Sequence, residues 1–275
     1  MARWRVAGMV LLLALIGAGP AAGRGEQPLA YVDLKYALIR QGLDKEYVLQ
    51  AFADSRNRFM PEVVRKIAYL RKERPADYRH FLTPEVVARG RQYLKEHRRD
   101  LVRAREVYGV APEVIVAILT VESGLGQVTG KYPVFNVFAS LAVMDTPEVM
   151  ADADLEPGLM PRLRKKAAWA RRELTTFLDY CRRHRLDPFQ FSGSWAGALG
   201  YAQFLPSSLV RCGVDGDGDG KVDLFTHPDA IASIANYLHK AGFRLSQPGT
   251  WRRAVLAYNQ SDAYADTVLT LAAWY

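Results

Sequence analysis

The sequence predicts a mainly α-helical globular protein, and three observations support this. Apolar residues recur at helical spacing through most of the 275 residues. After Pro112, residues 114–119 are apolar on every side, which is typical of a buried helix. The alternating pattern of a strand occurs only at residues 221–225. A composition of 49% hydrophobic and 24% charged residues excludes fibrous, low-complexity and polytopic membrane proteins.

The amino terminus has the pattern of an export signal. Arg3 and Arg5 precede an apolar run at residues 6–16, which is followed by small residues. The run is shorter than the ~20 residues that span a bilayer comfortably. We therefore expect residues 1–23 to be a signal peptide and the protein to be exported to the periplasm or cell envelope. The alternative is an uncleaved segment that anchors the protein in the membrane.

Local start signals and apolar stripes predict most of the helices. In chain order they comprise residues 34–39, a helix capped by Asp44, a helix opened by Pro61, a long surface helix opened by Thr83 and Pro84 that Gly90 can interrupt, the buried helix from Pro112, residues 163–184, and helices after Pro228 and Ser261. Gly and Pro are densest at residues 145–161 and 193–220, so we expect the loops there to line the functional face.

The charge, the cysteines and the histidines limit which partners, disulfides and metal sites the sequence can predict. The net charge of +8 suits an anionic partner, but basic residues spread along helices favour a solvated face over a nucleic-acid groove. Cys181 and Cys212 could pair in an oxidising compartment, and two buried thiols fit the sequence equally well. The five histidines form no close pair at helical spacing, which argues against a zinc site.

Glu122 is the residue best placed for acid chemistry. It stands near the end of the buried helix and is followed by a glycine-containing turn. Desolvation and the negative end of the helix dipole both raise the pKa of a carboxyl group, which suits Glu122 to donate a proton near neutral pH. The alternative is a glutamate that pairs with a nearby base or reaches solvent.

An acidic glycine loop predicts a site for a hard cation. Asp215, Asp217 and Asp219 alternate with glycines, and Gly220 occupies position 6 as in an EF-hand loop. Position 12 is Thr226 instead of the usual glutamate. The alternative is a solvated turn.

Two long segments resemble a known enzyme family. Residues 108–123 (YGVAPEVIVAILTVES) and 193–208 (GSWAGALGYAQFLPSS) are similar to signature segments of the lytic murein transglycosylase B family. The second matches the family pattern GSxAGAxGxxQFxPSS. Gly242-Phe243, residues 258–261 and Tyr264 resemble the remaining landmarks in the same order. The resemblance covers residues 30–275.

The resemblance implies a lysozyme-like catalytic domain at residues 24–275. It would comprise an N-terminal helical lobe at about 30–109 and a core at about 110–275. Its implied activity is cleavage of the β-1,4 bond between N-acetylmuramic acid and N-acetylglucosamine in peptidoglycan, with a 1,6-anhydro product. Glu122 would serve as the single acid and base, and no second acid stands close to it in the chain. The alternatives are a hydrolytic muramidase of the same fold and a non-catalytic peptidoglycan-binding protein.

The resemblance also implies specific site residues. Polar and aromatic groups suited to sugars match the family's substrate contacts; they are Ser194, Gln203, Tyr258 and Asn259, with Tyr201 as a further aromatic face. The family's extended loop ends on a later ligand than an EF-hand, so the implied Ca²⁺ ligands are Asp215, Asp217, Asp219, the Lys221 carbonyl and Asp229. We expect the ion to be structural, and the protein to be a monomer that needs no organic cofactor.

Overall fold

The computed structural model describes residues 27–275, so the predicted signal peptide lies outside the described residues. This part of the chain is mainly α-helical, as predicted. Its α-helices are α1 (Ala30–Arg40), α2 (Lys45–Ala53), α3 (Pro61–Ala68), α4 (Pro84–Glu96), α5 (Arg98–Tyr108), α6 (Pro112–Ser123), α7 (Val134–Ala142), α8 (Pro147–Asp152), α9 (Met160–His184), α10 (Pro206–Cys212), α11 (His227–Lys240), α12 (Trp251–Tyr258) and α13 (Asp262–Trp274).

Short elements connect these helices. They are 3₁₀ helices at Pro75–Phe81, Pro157–Leu159 and Pro248–Thr250, and an antiparallel pair of strands, β1 (Tyr132–Pro133) and β2 (Ser192–Gly193). Within residues 27–275, no helix combines the length and the hydropathy that crossing a bilayer requires.

The predicted helix starts are confirmed where a side chain caps the first turn. Asp44 accepts a hydrogen bond from the Tyr47 amide at 2.8 Å, and Thr83 accepts one from the Val86 amide at 3.4 Å. Such bonds satisfy amide groups that lack a partner inside the helix. The beginnings of α2 and α4 are therefore fixed by local sequence.

The predicted interruption at Gly90 is wrong. Helix α4 continues through Gly90, and the chain bends instead at His97, between α4 and α5. A Cβ atom at Gly90 would lie 2.2 Å from the Tyr275 ring. The hydroxyl of Tyr275 also lies 2.8 Å from the Thr120 hydroxyl on α6. The missing side chain thus lets Tyr275 pack closely against α4 while it bonds α6.

The predicted strand at residues 221–225 is also wrong. The amide of Asp223 donates to the Asp229 carboxylate at 2.6 Å, and the Leu224 carbonyl accepts from the Tyr201 amide at 2.8 Å. These backbone groups bond a carboxylate and a neighbouring loop, so they form no ladder with another strand. The alternating pattern therefore marks a loop that is fixed by long-range contacts.

One continuous hydrophobic core includes residues from both sides of residue 110. The ring of Tyr31 meets Phe52 edge-on at 5.3 Å, and Phe52 meets Phe135 in the same way at 5.3 Å. Edge-to-face ring pairs add to the stabilisation that comes from burial itself. The division into a lobe and a core near residue 110 stays a prediction.

Helix α6 lies at the centre of the fold. Residues 114–123 are all buried, and α4, α5, α11 and α13 pack around the helix. It ends at Gly124, whose φ of 58° lies in the left-handed region that glycine tolerates. The predicted buried helix is confirmed, and its last turn places Glu122 in the protein interior.

The two cysteines form no disulfide, so the alternative of two buried thiols holds. Burial raises the pKa of Cys181 to about 12, and the nearby charge of Asp187 adds to this effect. A thiol oxidises through its thiolate, which is scarce at such a pKa. Cys212 lies in other surroundings, where its carbonyl accepts a hydrogen bond from Asn236 at 3.0 Å.

Candidate active site

Glu122 is a buried carboxyl group that accepts a side-chain hydrogen bond. It is 4% exposed, and its Oε1 accepts a hydrogen bond from the Tyr264 hydroxyl of α13 at 2.7 Å. Burial raises the pKa of Glu122 to about 8; the bond from Tyr264 opposes this effect, and the negative charge of Glu73 adds to it. At neutral pH Glu122 therefore carries a proton that it can donate.

Three tyrosines surround this carboxyl group. The rings of Tyr258 and Tyr264 are almost parallel, at 8° with centroids 6.5 Å apart, and Tyr78 meets Tyr264 edge-on at 6.2 Å. Burial is the largest cause that raises the pKa of each tyrosine far above its ordinary value. Their hydroxyls consequently remain neutral donors.

Glu73 approaches the same cluster from the segment before the first 3₁₀ helix. Its Oε2 accepts hydrogen bonds from the Tyr78 hydroxyl at 2.5 Å and from the Asn259 amide nitrogen at 3.5 Å. Sequence reasoning missed Glu73, because it stands in a basic run and belongs to no motif. The structure therefore brings a second acid near Glu122, although none is close in the chain.

A cavity of about 1070 Å³ opens beside this cluster. Glu73, Trp169 and Asn259 form part of its wall. Six basic residues also line it, namely Arg71, Lys72, Arg162, Lys165, Lys166 and Arg172. Glu122 is not among the lining residues, but it interacts electrostatically with Glu73, which is one of them.

Ser194 and Gln203, predicted to contact substrate, bond the protein's own backbone. The hydroxyl oxygen of Ser194 accepts from the amides of Ala196 and Ala198 at 3.3 and 2.9 Å, which closes a tight turn. The side chain of Gln203 donates to the carbonyls of Thr129 and Gly200 at 3.2 and 2.7 Å. Both residues stabilise the backbone of the signature segment at residues 193–208. Their contact with a sugar stays a prediction.

The signature segment is bonded to the surroundings of Glu122. The Tyr201 carbonyl accepts from the hydroxyl of Ser123, the residue after Glu122, at 2.8 Å. The Tyr258 hydroxyl donates to the carbonyl of Ala202, the residue after Tyr201. The structure thus brings Tyr258, Asn259 and the backbone of residues 201–202 to the acid.

The ring of Tyr201 packs against His227 and Phe225. Its centroid is 4.8 Å from that of His227 and 6.4 Å from that of Phe225. Among the described residues, its ring contacts do not include the tyrosines beside Glu122. Its predicted role as a face for sugar rings consequently gains no support from ring packing.

A further buried acid fixes the end of the signature segment. Glu173 of α9 is 5% exposed and accepts hydrogen bonds from the Ser207 amide and hydroxyl at 2.9 and 2.8 Å. Burial raises the pKa of Glu173, and the bonds from Ser207 oppose that effect. Sequence reasoning missed this pair, which joins α9 to the first turn of α10.

The acidic loop brings three of the predicted metal ligands together. Carboxylate oxygens of Asp215, Asp217 and Asp229 all lie within 4.8 Å of one another. Asp219 is not part of this group, and its Oδ1 accepts from the Lys221 amide at 2.8 Å. Three convergent carboxylates offer the oxygen ligands that hard divalent cations such as Ca²⁺ bind.

Asp229 connects this loop to helix α11. It accepts hydrogen bonds from the amides of Gly216 and Asp223 at 2.8 and 2.6 Å. Burial raises the pKa of Asp229; the two backbone bonds oppose this effect, and the charges of Asp217 and Asp215 add to it. A bound cation would relieve the repulsion among these carboxylates.

Comparison with known proteins identifies the family of the chain. Residues 29–256 match the family described as the transglycosylase SLT domain. The chain belongs to this family. It is 38% identical over 163 residues to the membrane-bound lytic murein transglycosylase B of Escherichia coli strain K12. The aligned part is 59% of this chain and 40% of that relative, so the match spans less than half of the relative's length.

Solved structures confirm that this member of the transglycosylase SLT domain family has the predicted lysozyme-like, mainly α fold. It is 26% identical to the Escherichia coli lytic transglycosylase Slt35 in complex with calcium, with a TM-score of 0.72 and coverage of 90% of this chain and 92% of that one. SltB3 from Pseudomonas aeruginosa, in complex with NAG-NAM-pentapeptide, is also 26% identical at a TM-score of 0.72, over 88% of this chain and 77% of that one.

Proposed function

We propose that the protein is a peptidoglycan lytic transglycosylase. It cleaves the β-1,4 bond between N-acetylmuramic acid and N-acetylglucosamine and forms 1,6-anhydromuramoyl products. The observation that carries this proposal is the burial of Glu122, which raises its pKa to about 8 beside Glu73, a residue of the cleft wall. Membership of the transglycosylase SLT domain family supports the same reaction.

Glu122 performs both proton transfers in the proposed reaction. As a neutral acid it protonates the glycosidic oxygen, and the departing sugar keeps that proton and the bonding electron pair. The 2-acetamido group of the substrate stabilises the positive charge that develops at C1. The Glu122 carboxylate then takes the proton of the C6 hydroxyl, and the C6 oxygen bonds C1 to close the anhydro ring.

The tyrosine that contacts Glu122 suits the first step. Tyr264 donates its hydrogen bond to Oε1 of Glu122 at 2.7 Å. A donor to a carboxylate favours its charged form, which exists only after Glu122 has given up its proton. Tyr264 therefore stabilises the carboxylate that forms when Glu122 protonates the glycosidic oxygen.

The cleft offers the chemical groups that bind sugars. Asn259 can exchange hydrogen bonds with acetamido and hydroxyl groups, and the Trp169 ring on the wall suits the apolar face of a pyranose. The NAG-NAM-pentapeptide held by SltB3 supports peptidoglycan strands as the substrate of this chain. Direct contacts from Ser194, Gln203 and Tyr201 belong to the proposal, as does a monomeric state.

We also propose that the acidic loop holds one structural Ca²⁺. Asp215, Asp217 and Asp229 supply its convergent oxygens, and Asp219 and the Lys221 carbonyl complete the predicted set. The ion supplies positive charge that offsets the repulsion of these carboxylates. The calcium complex of Slt35 supports this assignment.

Export to the cell envelope belongs to the same proposal. It rests on Arg3 and Arg5 and on the apolar run that follows them. The Escherichia coli relative is described as membrane-bound, which agrees with a place in the envelope.

Digestion of purified sacculi tests the reaction. Wild type should release anhydromuropeptides, identified by mass spectrometry, and Glu122→Gln should lose about 10²- to 10⁴-fold in rate because it cannot donate the proton. Glu113→Gln, on the first turn of the same helix, is the matched control and should keep its activity.

The products separate the alternatives. Reducing-end products alone would make the protein a hydrolytic muramidase. No products from wild type, together with equal retention of wild type and Glu122→Gln on sacculi, would make it a peptidoglycan-binding protein.

A further inference from the structure

Glu73 and Glu122 belong to two carboxyl–tyrosine pairs that pack against each other. Tyr78 donates to Glu73 at 2.5 Å, and Tyr264 donates to Glu122 at 2.7 Å. The rings of the two tyrosines meet edge-on with centroids 6.2 Å apart. The two acids are thus joined by direct contacts although they come from different elements of the fold.

The surroundings of the two acids differ. Glu122 is 4% exposed and accepts from Tyr264, whereas Glu73 is half-buried on the cleft wall and accepts from both Tyr78 and Asn259. Arg71 also interacts electrostatically with Glu73. Two donors and a nearby cation hold a carboxylate in one position.

Glu73 is the charged neighbour of Glu122. The groups that interact electrostatically with Glu122 include Tyr78, Tyr258, Tyr264 and Glu73. The three tyrosines are neutral at the pH of the reaction, so among these groups Glu73 alone brings a formal charge. A negative charge near a buried carboxyl group disfavours its ionisation.

We propose that Glu73 is a positioning residue for the reaction assigned to Glu122: its carboxylate orients the Asn259 amide on the cleft wall and keeps the proton on Glu122 until substrate takes it. The inference rests on the proposed function. After the first proton transfer the two carboxylates repel each other, and this repulsion makes Glu122 a stronger base toward the C6 hydroxyl. Glu73 thus acts through Glu122 and Asn259 without touching the reacting atoms.

The pH profile of anhydromuropeptide release from sacculi tests this role. Glu73→Gln keeps the size of the side chain and removes its charge. From a starting pKa of about 8 for Glu122, a fall of about one unit lowers the rate about fivefold at pH 8 and leaves it almost unchanged at pH 6. The alkaline limb of the profile should therefore move to lower pH.

Matched variants separate this role from a general loss of structure. Glu62→Gln removes an exposed acid on α3 and should leave the alkaline limb in place. Glu73→Asp keeps the charge and should restore most of the wild-type limb. Glu73→Ala provides a second neutral variant, and its limb should move in the same direction as that of Glu73→Gln.

A second measurement does not depend on activity. In protein carrying ¹³C-labelled glutamate, the Glu122 carboxyl resonance is assigned by its loss in Glu122→Gln and titrated directly. Its pKa should fall in Glu73→Gln and stay high in Glu62→Gln. If wild type released no anhydro products, the proposed function would fail, and this titration would still decide whether Glu73 controls the proton of Glu122.

Two results would overturn the inference. The first is an unchanged Glu122 titration in folded Glu73→Gln and Glu73→Ala. The second is a change from anhydro to reducing-end products in these variants, because a residue that only positions Glu122 and Asn259 does not choose the nucleophile.

Discussion

The surroundings of Glu122 and the acidic loop show two opposite uses of carboxyl groups. Glu122 is buried in α6, and this burial outweighs the bond from the Tyr264 hydroxyl, so the protein keeps Glu122 protonated. Asp215 lies in a solvated loop and accepts amide hydrogens from Gly218 at 2.6 Å and Gly220 at 2.8 Å. These bonds lower the pKa of Asp215 and keep it charged.

The difference teaches that the same functional group becomes an acid or a cation ligand through its neighbours. Removal from water selects the neutral form, which can donate a proton. A set of backbone donors selects the anion, and several such anions at one point attract a cation. Asp229 lies between the two cases, because it is buried like Glu122 and bonded to the backbone like Asp215.

The largest expected effect is on the pH dependence of stability. The pKa of Glu122 is raised from 4.5 to about 8 in the folded protein. Its stabilising contribution is therefore complete below pH 4.5 and is lost as the pH rises through 8. Between these limits wild type should lose up to about 5 kcal/mol of unfolding free energy relative to Glu122→Gln, in which the group cannot ionise. Denaturant unfolding at a series of pH values measures the difference, and a constant difference would contradict a buried acid.

The next effect concerns the loop. Calcium at about 100 times its dissociation constant should raise the unfolding free energy of wild type by about 2.7 kcal/mol. Asp229→Asn should lose this increment, because it removes one of the three convergent carboxylates. Calorimetric melting with calcium and then with chelator measures it, with the exposed Asp262→Asn as control. An unchanged wild-type melting temperature at saturating calcium would argue against the site.

A smaller effect is expected on the pKa of Glu122 when its hydrogen bond from Tyr264 is removed. Tyr264→Phe removes the donor that lowers the pKa of Glu122, so this pKa should rise by about one unit, or about 1.4 kcal/mol. The shift is opposite in sign to that expected for Glu73→Gln. Carboxyl ¹³C titration measures both, with the exposed Tyr69→Phe as control. A downward shift in Tyr264→Phe would mean that Tyr264 does not favour the charged form.

The smallest effect concerns the backbone of the loop. Gly220 has a φ of +88°, in a region that side chains rarely adopt. Gly220→Ala should cost about 1 kcal/mol of unfolding free energy. Gly249→Ala, at a residue with open space and no positive φ, should change it little. Denaturant unfolding compares the two variants, and equal costs would show that the loop does not depend on this conformation.

Sequence alone was sufficient where the cause is local. Asp44 and Thr83 cap their helices because the amides they bond lie three residues away. Glu122 was recognised as a buried acid because the apolar residues before it predict a helix without a solvent-facing side. The spacing of Asp215 and Asp217 also reports a local turn.

The sequence was insufficient for prediction where contacts with distant residues determine the local structure. Helix α4 continues through Gly90 because Tyr275 fills the space beside it. The segment that resembled a strand is a loop because its amide at Asp223 bonds Asp229. Glu73 joined the site unpredicted, since its partner Asn259 lies 186 residues further along the chain.

The burial of residues 114–123 in α6 limits the substitutions that the protein can accept there. Core positions accept few new side chains, since even one methylene group more or less alters the packing. Laboratory evolution of the pH optimum should therefore leave α6 almost intact. We expect its mutations to accumulate instead at Glu73, a half-buried neighbour of the acid on the cleft wall.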